Sequence, residues 1–344
     1  MKILKDWKFL LGVGLSLLFI WLAFRKVDFH QMMQAFTAAN YWWLIPTVII
    51  TFIAHGLRTL RWRYLLDPIE RVPLKPLFSA LMIGYLFNVF LPAHLGEFIR
   101  AYLLAKKRSL SSSVVFGTIV MERIIDVAAL FICMALAVLV FPFPDWVRMG
   151  GYITFAGIAA LFAVLILTKK YPKPALTLVD RLFNPVAPHL AVKLKNVIES
   201  FLRGIVPLAR PSDYLVVTVL SVLIWACYGY AFQLVLYSFN FVATYSLPWT
   251  TSLVLLVITT FGVLVPSSPG YVGTYHWLCQ QSLALPAFNV PESPALTFAI
   301  VMHAINFVPI LVVGLTLLAS EGLSFKGLQA RAHLHESGET EKDA

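Results

Sequence analysis

Long apolar segments constrain this chain more than any other feature of its sequence. Hydrophobic residues make up 59% of the 344 positions and charged residues only 13%, with a mean hydropathy of +0.80. A helix needs about 20 apolar residues to cross the hydrocarbon of a bilayer. The sequence therefore predicts an all-α integral membrane protein and excludes a soluble domain with a polar shell.

The apolar segments fall into two classes. Six of them are long enough to be full crossings: 9–24, 41–57, 111–141, 152–168, 214–239 and 295–320. Two others, 77–104 and 249–285, are interrupted by the sequences PAHLG and PSSPG. We predict that these two are re-entrant helical hairpins, because a full crossing by 77–91 would put the basic residues from Arg100 to Arg108 on the outer side, against the positive-inside rule.

The basic residues indicate the orientation. With two hairpins and six crossings, 23 of the 27 Lys and Arg residues fall on the inner side, including those between Arg58 and Lys75. This predicts a multi-pass protein of the cell inner (cytoplasmic) membrane with both termini in the cytoplasm. Residues 1–320 form the membrane domain, and the polar tail 321–344 is predicted to be disordered. A basic loop, 169–213, contains an amphipathic helix at 190–205 that lies on anionic lipid or packs on the bundle.

The two interrupted regions resemble each other. FNVFLPAHLG, from Phe87 to Gly96, and FGVLVPSSPG, from Phe261 to Gly270, share Phe, Val, Pro and Gly at matching positions. Three predicted crossings separate them, and an odd number inverts the second copy relative to the first. The sequence therefore predicts an inverted repeat of the kind found in transporters.

Each break is predicted to start a new half-helix near the bilayer centre. The residues that make the breaks are Pro92, Gly96, Pro266, Pro269 and Gly273. Ser267 and Ser268 suit the N-cap of the second half-helix, with Pro269 in its first turn. Free N–H groups at two such ends would bind an anion such as a phosphate. In the alternative interpretation, Pro92 and Pro266 only kink continuous helices.

Five charged residues lie at membrane depth. Glu97 and Arg100 follow the first break, while Glu122, Arg123 and Asp126 lie in the third crossing, with Glu122 about 16 Å from its start. Unpaired charges there are costly, so these side chains must pair or line water. Glu122 and Asp126 share a helix face and need a cation such as Arg100 or Arg123 between them. They form either a structural ion-pair cluster or part of a polar cavity, and His303 and Asn306 either face that cavity or bond between helices.

The predicted site combines these charges with the breaks. Its substrate-binding residues are Asn88, Glu97, Arg100, Glu122, Arg123, Asp126, Ser267, Ser268 and Gly270. No catalytic residue, cofactor or nucleic-acid partner is predicted. The three cysteines lie in apolar segments without paired spacing, so neither a disulfide framework nor a metal site is expected.

Three ordered motifs resemble a known family. They are N-x3-P-x3-GE-x2-R from Asn88 to Arg100, ERIID at Glu122 to Asp126, and PSSPGYVG ending at Gly273. The chain resembles the lysylphosphatidylglycerol synthase transmembrane region, also called the flippase-like family, from the first span to about residue 320. The resemblance implies a phospholipid or lipid-linked substrate. The soluble aminoacyl-transfer domain of the full-length lysyltransferases has no counterpart in the remaining 24 residues, so lysyl transfer is not expected.

Three functions are compatible with these features. The first is a lipid translocase whose midplane cavity binds an anionic headgroup. The second is a membrane enzyme that uses Glu97 or Asp126 as a base, with His94 nearby, although no established catalytic pattern is present. The third is an accessory protein that supports a separate lipid-modifying enzyme.

Overall fold

The chain folds into a bundle of helices. The computed structural model describes residues 7–91, 94–141, 171–184, 208–264 and 269–323, with isolated positions between 143 and 170 and between 188 and 195. In chain order the helices are α1 (Trp7–Phe24), α2 (Phe29–Ala38), α3 (Leu44–Leu66), α4 (Leu74–Phe90), α5 (Gly96–Arg108), α6 (Ser112–Val140), α7 (Pro172–Phe183), α8 (Pro211–Ser238), α9 (Phe241–Thr244), α10 (Thr250–Leu264), α11 (Thr274–Leu283) and α12 (Glu292–Ser320). Short 3-10 turns lie at Tyr41–Trp43 and Pro269–Tyr271.

The prediction of an all-α membrane protein is confirmed. In the described part of the chain, four helical segments are long and apolar enough to cross a membrane: Tyr41–Leu66, Ser112–Val140, Pro211–Ser238 and Glu292–Ser320. Three shorter apolar helices accompany them, at Gly14–Phe24, Leu74–Phe90 and Thr250–Val263. Helices satisfy their own backbone hydrogen bonds, which is why this architecture suits lipid.

The predicted limits agree with the structure at most helices. Helices α6, α8 and α12 lie within three residues of the predicted crossings at both ends. Helix α3 is an exception, because it continues to Leu66 and carries Arg58 and Arg61 as part of the helix. The predicted crossing at 152–168, the amphipathic helix at 190–205 and the tail beyond 323 lie mainly or wholly outside the described residues. The loop between α6 and α8 contains α7, which the sequence analysis did not predict.

Each interrupted region forms two helices that pack against each other. In the first, Gly84 of α4 faces Gly96 and Arg100 of α5, so the two helices run in opposite directions. A Cβ atom on Gly96 would lie 2.0 Å from the carbonyl oxygen of Gly84, so this approach requires glycine. In the second, α10 packs on α11, with Gly262 against Leu278. That these hairpins turn back inside the bilayer stays a prediction.

The helix contacts repeat. Helix α3 packs on α4 and α6, and the α4–α5 hairpin packs on α6 through α5. The same pattern recurs when α8, α10, α11 and α12 replace α3, α4, α5 and α6. The hairpins also make equivalent contacts with the opposite unit, α4 with α12 and α10 with α6. The internal repeat predicted from ten residues therefore extends to the packing of two four-helix units, which meet along α3 and α8.

Candidate functional site

A cluster of charged side chains lies between α3, α5 and α6. Four of its members are arginines and three are carboxylates: Arg58, Arg61, Arg100, Arg123, Glu97, Glu122 and Asp126. Most of these side chains are buried, and those of Arg61 and Glu122 are fully so. We refer to these seven residues as the ion cluster.

Glu122 lies at the centre of the ion cluster. Its Oε2 accepts a hydrogen bond from Nη2 of Arg100 at 2.7 Å. The guanidinium of Arg100 also lies 3.6 Å from the centroid of the Trp62 ring, in a cation–π contact. Nitrogen atoms of the other three arginines lie 3.6 to 3.8 Å from Oε1 of Glu122. The charges are paired, which is one of the two arrangements that the sequence analysis left open, and Arg100 is a partner of Glu122.

Asp126 is paired with two arginines that the sequence analysis placed on the inner side, beyond the end of the crossing at 41–57. Nη2 of Arg61 donates to Asp126 Oδ1 at 2.6 Å, and Arg58 donates to Oδ2 of the same carboxylate. Arg58 also donates to the hydroxyl of Tyr85 at 2.7 Å, and Arg61 to the hydroxyl of Ser221 at 3.0 Å. The predicted end of this crossing at residue 57 is therefore too early, because Arg58 and Arg61 are buried residues of α3. The Asp126 carboxylate offsets the cost of burying the two guanidinium groups. Hydropathy alone does not predict this, because it does not include ion pairs between helices.

The ion cluster contains more positive than negative charge. Within the described part of the chain, four guanidinium groups face three carboxylates. Nε of all four arginines and Nη1 of Arg100 are buried and make no hydrogen bond among the described residues, and the same holds for Oε1 of Glu97 and of Glu122. Buried donors without partners are costly, more so when they are charged. The cluster therefore has both the charge and the donors to accept an anion.

Glu97 and Arg123 form the accessible edge of the ion cluster. Nε of Arg123 lies 2.9 Å from Oε1 of Glu97. The Arg123 side chain is 35% exposed and that of Glu97 is 13% exposed, whereas Arg100 and Glu122 are almost completely buried. Of the predicted site residues, Arg123 is thus the cation that an incoming group can reach.

Asn88 has a structural contact at the first break. Its side-chain oxygen accepts the N–H of Gly96 at 2.8 Å and so caps the start of α5. The next N–H groups also have partners, since Glu97 donates to the carbonyl of His94 and Phe98 to that of Leu95. The free N–H groups predicted for the first half-helix are therefore occupied. Pro92 lies outside the described residues.

The second break has a different geometry from the predicted one. Pro269, Gly270 and Tyr271 form a 3-10 turn, and α11 begins only at Thr274, with Gly273 at the N-cap. Gly270 and Gly273 have φ angles of +68° and +91°, which a continuing helix cannot adopt. Helix α11 therefore starts five residues later than predicted. Pro266, Ser267 and Ser268 lie outside the described residues.

The two breaks contact each other. The ring Nε2 of His94, from the first break, lies 3.0 Å from the hydroxyl of Tyr271 in the second. His303 of α12 bonds through Nε2 to the carbonyl oxygen of Gly270 at 2.8 Å. His303 thus makes the interhelical hydrogen bond that was one of its two predicted roles. The sequence analysis did not pair His94 with Tyr271, since 177 positions separate them.

An apolar cavity of about 1130 Å³ lies beside the ion cluster, between α6, α8 and α10. Ile132 and Val222 line it from two sides, and Ser221, the hydrogen-bond partner of Arg61, connects its wall to the cluster. The described residues contain no group of three His, Cys, Asp or Glu side chains that could bind a metal ion.

Comparison with known proteins relates the chain to one family. The sequence profile described as "Lysylphosphatidylglycerol synthase TM region" matches residues 9–314. The UPF0104 membrane protein MJ1595 of Methanocaldococcus jannaschii is 22% identical over 306 residues, which cover 86% of this chain and 89% of that protein. No solved structure matches.

Proposed function

Because the chain belongs to the lysylphosphatidylglycerol synthase transmembrane-region family, we propose that this multi-pass membrane protein is a flippase-like translocase. Its substrate is a phospholipid or a lipid-linked molecule whose anionic headgroup binds where the two breaks meet. Both termini lie in the cytoplasm and the protein resides in the cell inner membrane. A separate lipid-modifying enzyme is the proposed source of the substrate.

One observation carries the proposal: the ion cluster has four guanidinium groups for three carboxylates. An excess of guanidinium groups within a membrane protein attracts an anion, and a phosphate or carboxylate can pair with one of them. Lipid headgroups supply such anions while their acyl chains stay in the bilayer.

The exposures suggest separate roles within the cluster. Arg123 contacts the headgroup, because it is the most exposed of the four arginines. Arg100, which is buried and paired with Glu122, holds α5 against α6 and positions Arg123. Ser267 and Ser268 are further candidate phosphate ligands, since they directly precede the turn whose Tyr271 contacts His94.

The enzymatic alternative is less compatible with the contacts. Asp126 is paired with Arg58 and Arg61, and Glu97 is paired with Arg123. A carboxylate whose oxygens are already bound by guanidinium groups is a poor general base.

Transbilayer movement of lipid tests the proposal. The purified protein is reconstituted into phosphatidylcholine vesicles that contain a trace of fluorescent phosphatidylglycerol, and a membrane-impermeant reductant reports the label left in the outer leaflet. Wild-type protein should accelerate the movement. Arg123→Gln should slow it by about 10-fold to 100-fold, because a hydrogen bond to a charged group contributes about 1.5–3 kcal/mol.

Arg108→Gln is the matched control. Arg108 is 34% exposed and pairs with Glu70 at 2.7 Å, but it lies at the far end of α5, away from the breaks. It should move lipid at the wild-type rate. If wild-type protein moves no labelled lipid faster than protein-free vesicles, across anionic and zwitterionic headgroups, the proposed function is wrong.

A further inference from the structure

The three carboxylates of the ion cluster differ in how many cations they contact. Glu122 lies within ion-pair distance of all four arginines, and Asp126 of Arg58, Arg61 and Arg123. Among the described residues, only Arg123 lies within that distance of Glu97. Glu97 is therefore the one carboxylate of the cluster whose charge depends on a single partner.

Arg123 can leave Glu97 without losing all its counter-charge. Its nitrogen atoms lie 2.9 Å from Glu97, 3.6 Å from Glu122 and 3.7 Å from Asp126. An anion that binds at the exposed edge of Arg123 competes most directly with Glu97, since Glu122 and Asp126 keep their other arginines. The Glu97–Arg123 contact is thus the exchangeable ion pair of the cluster.

Displacement leaves the Glu97 carboxylate without a guanidinium in contact. In the described part of the chain no second guanidinium lies within ion-pair distance of Glu97, and Arg100 on the same helix is paired with Glu122 on α6. From the two breaks, the titratable groups within electrostatic reach of Glu97 are His94 and Tyr271, and α4 contributes the amide of Asn88, which is engaged at Gly96. A carboxylate in a membrane interior without a counter-charge favours its protonated form.

We propose that Glu97 couples lipid movement to proton movement, an inference that rests on the proposed function. In the resting state the Glu97 carboxylate is paired with the Arg123 guanidinium. The anionic headgroup takes the place of Glu97 at Arg123, and Glu97 takes up one proton from water. One negative charge enters the cluster and one is neutralised by the proton, so the charge of the cluster is unchanged. When the headgroup leaves on the other side, Glu97 releases the proton there and pairs with Arg123 again.

Simultaneous measurement of lipid and proton movement tests this coupling. Vesicles with reconstituted protein contain a pH-sensitive dye, and fluorescent phosphatidylglycerol is added to the outer leaflet. Wild-type protein should acidify the lumen in proportion to lipid entry, with a ratio of about one proton per lipid because one carboxylate exchanges. An imposed pH gradient should shift the leaflet distribution of the lipid.

Three variants separate coupling from folding. Glu97→Gln mimics the protonated acid, so the lipid that it moves should enter without acidification and without response to the pH gradient, whatever its rate. Glu97→Asp keeps a carboxylate and should retain the acidification. Glu70→Gln removes the carboxylate that pairs with Arg108, outside the ion cluster. The Glu70 side chain is 28% exposed, and this variant should behave as wild type.

Two results would overturn the inference while leaving the translocase proposal intact. One is lipid entry through wild-type protein with no change in luminal pH and no response to the gradient. The other is an unchanged proton-to-lipid ratio in Glu97→Gln. Absence of lipid movement in the wild type would instead remove the proposed function, and the coupling with it.

Discussion

The ion cluster should be most sensitive to the loss of Glu122. The Glu122→Gln substitution keeps the size of the side chain but leaves four guanidinium groups, three of them buried, with two carboxylates. In the wild type, Oε2 of Glu122 accepts the 2.7 Å hydrogen bond from Arg100, and the Glu122 side chain is fully buried. Removing one partner from a buried ion pair costs about 3–5 kcal/mol, because the remaining charge is uncompensated. We therefore expect a loss of stability of that order.

The assay heats purified protein in detergent and measures, at each temperature, the fraction that remains monodisperse. Glu70→Gln is the control, because Glu70 also pairs with an arginine but is partly exposed, and such surface pairs contribute about 0–1 kcal/mol. Its unfolding midpoint should stay close to that of the wild type, while Glu122→Gln unfolds at a clearly lower temperature.

A double substitution checks the physical reason. Because Arg100 and Glu122 contact each other, Arg100→Gln combined with Glu122→Gln should destabilise less than the sum of the single changes, by about 0.5–3 kcal/mol. If Glu122→Gln unfolds at the same temperature as Glu70→Gln, or if the double variant is additive, the ion cluster does not contribute to stability in the way inferred here.

Two further predictions concern the first hairpin. Gly96→Ala should reduce stability by about 1–3 kcal/mol and lower the unfolding midpoint, because its Cβ would lie 2.0 Å from the Gly84 carbonyl oxygen. Gly56→Ala is the control, because a Cβ at Gly56 has nothing within 4 Å. Equal midpoints for the two variants would contradict the close packing. Single cysteines at Lys75 and Lys106, in a protein without its natural cysteines, should both react with an impermeant maleimide from the cytoplasmic side, and reaction from opposite sides would exclude a re-entrant hairpin.

The class of fold and most helix limits were readable from local signals. Apolar runs gave the ends of α6, α8 and α12 within three residues, because lipid requires a minimum apolar length. The proline- and glycine-rich segments indicated the positions of both breaks. They did not indicate the late start of α11 at Thr274, which depends on the positive φ angles of Gly270, Tyr271 and Gly273.

The candidate site was only partly readable. The sequence identified Glu97, Arg100, Glu122, Arg123 and Asp126, because charges within apolar helices are conspicuous. It missed Arg58 and Arg61, which follow an apolar run as loop residues usually do. The spacing of these two arginines on one helical face was the available signal.

The sequence by itself determined that this chain lies in a membrane, that two of its apolar regions are broken, and that its buried charges must either pair or line water. These properties follow from the cost of polar groups in lipid, which each segment meets on its own. Only the tertiary structure decided which charges pair. Arg58 and Arg61 lie 68 and 65 positions from Asp126, and such distant partners are selected by helix packing rather than by local sequence.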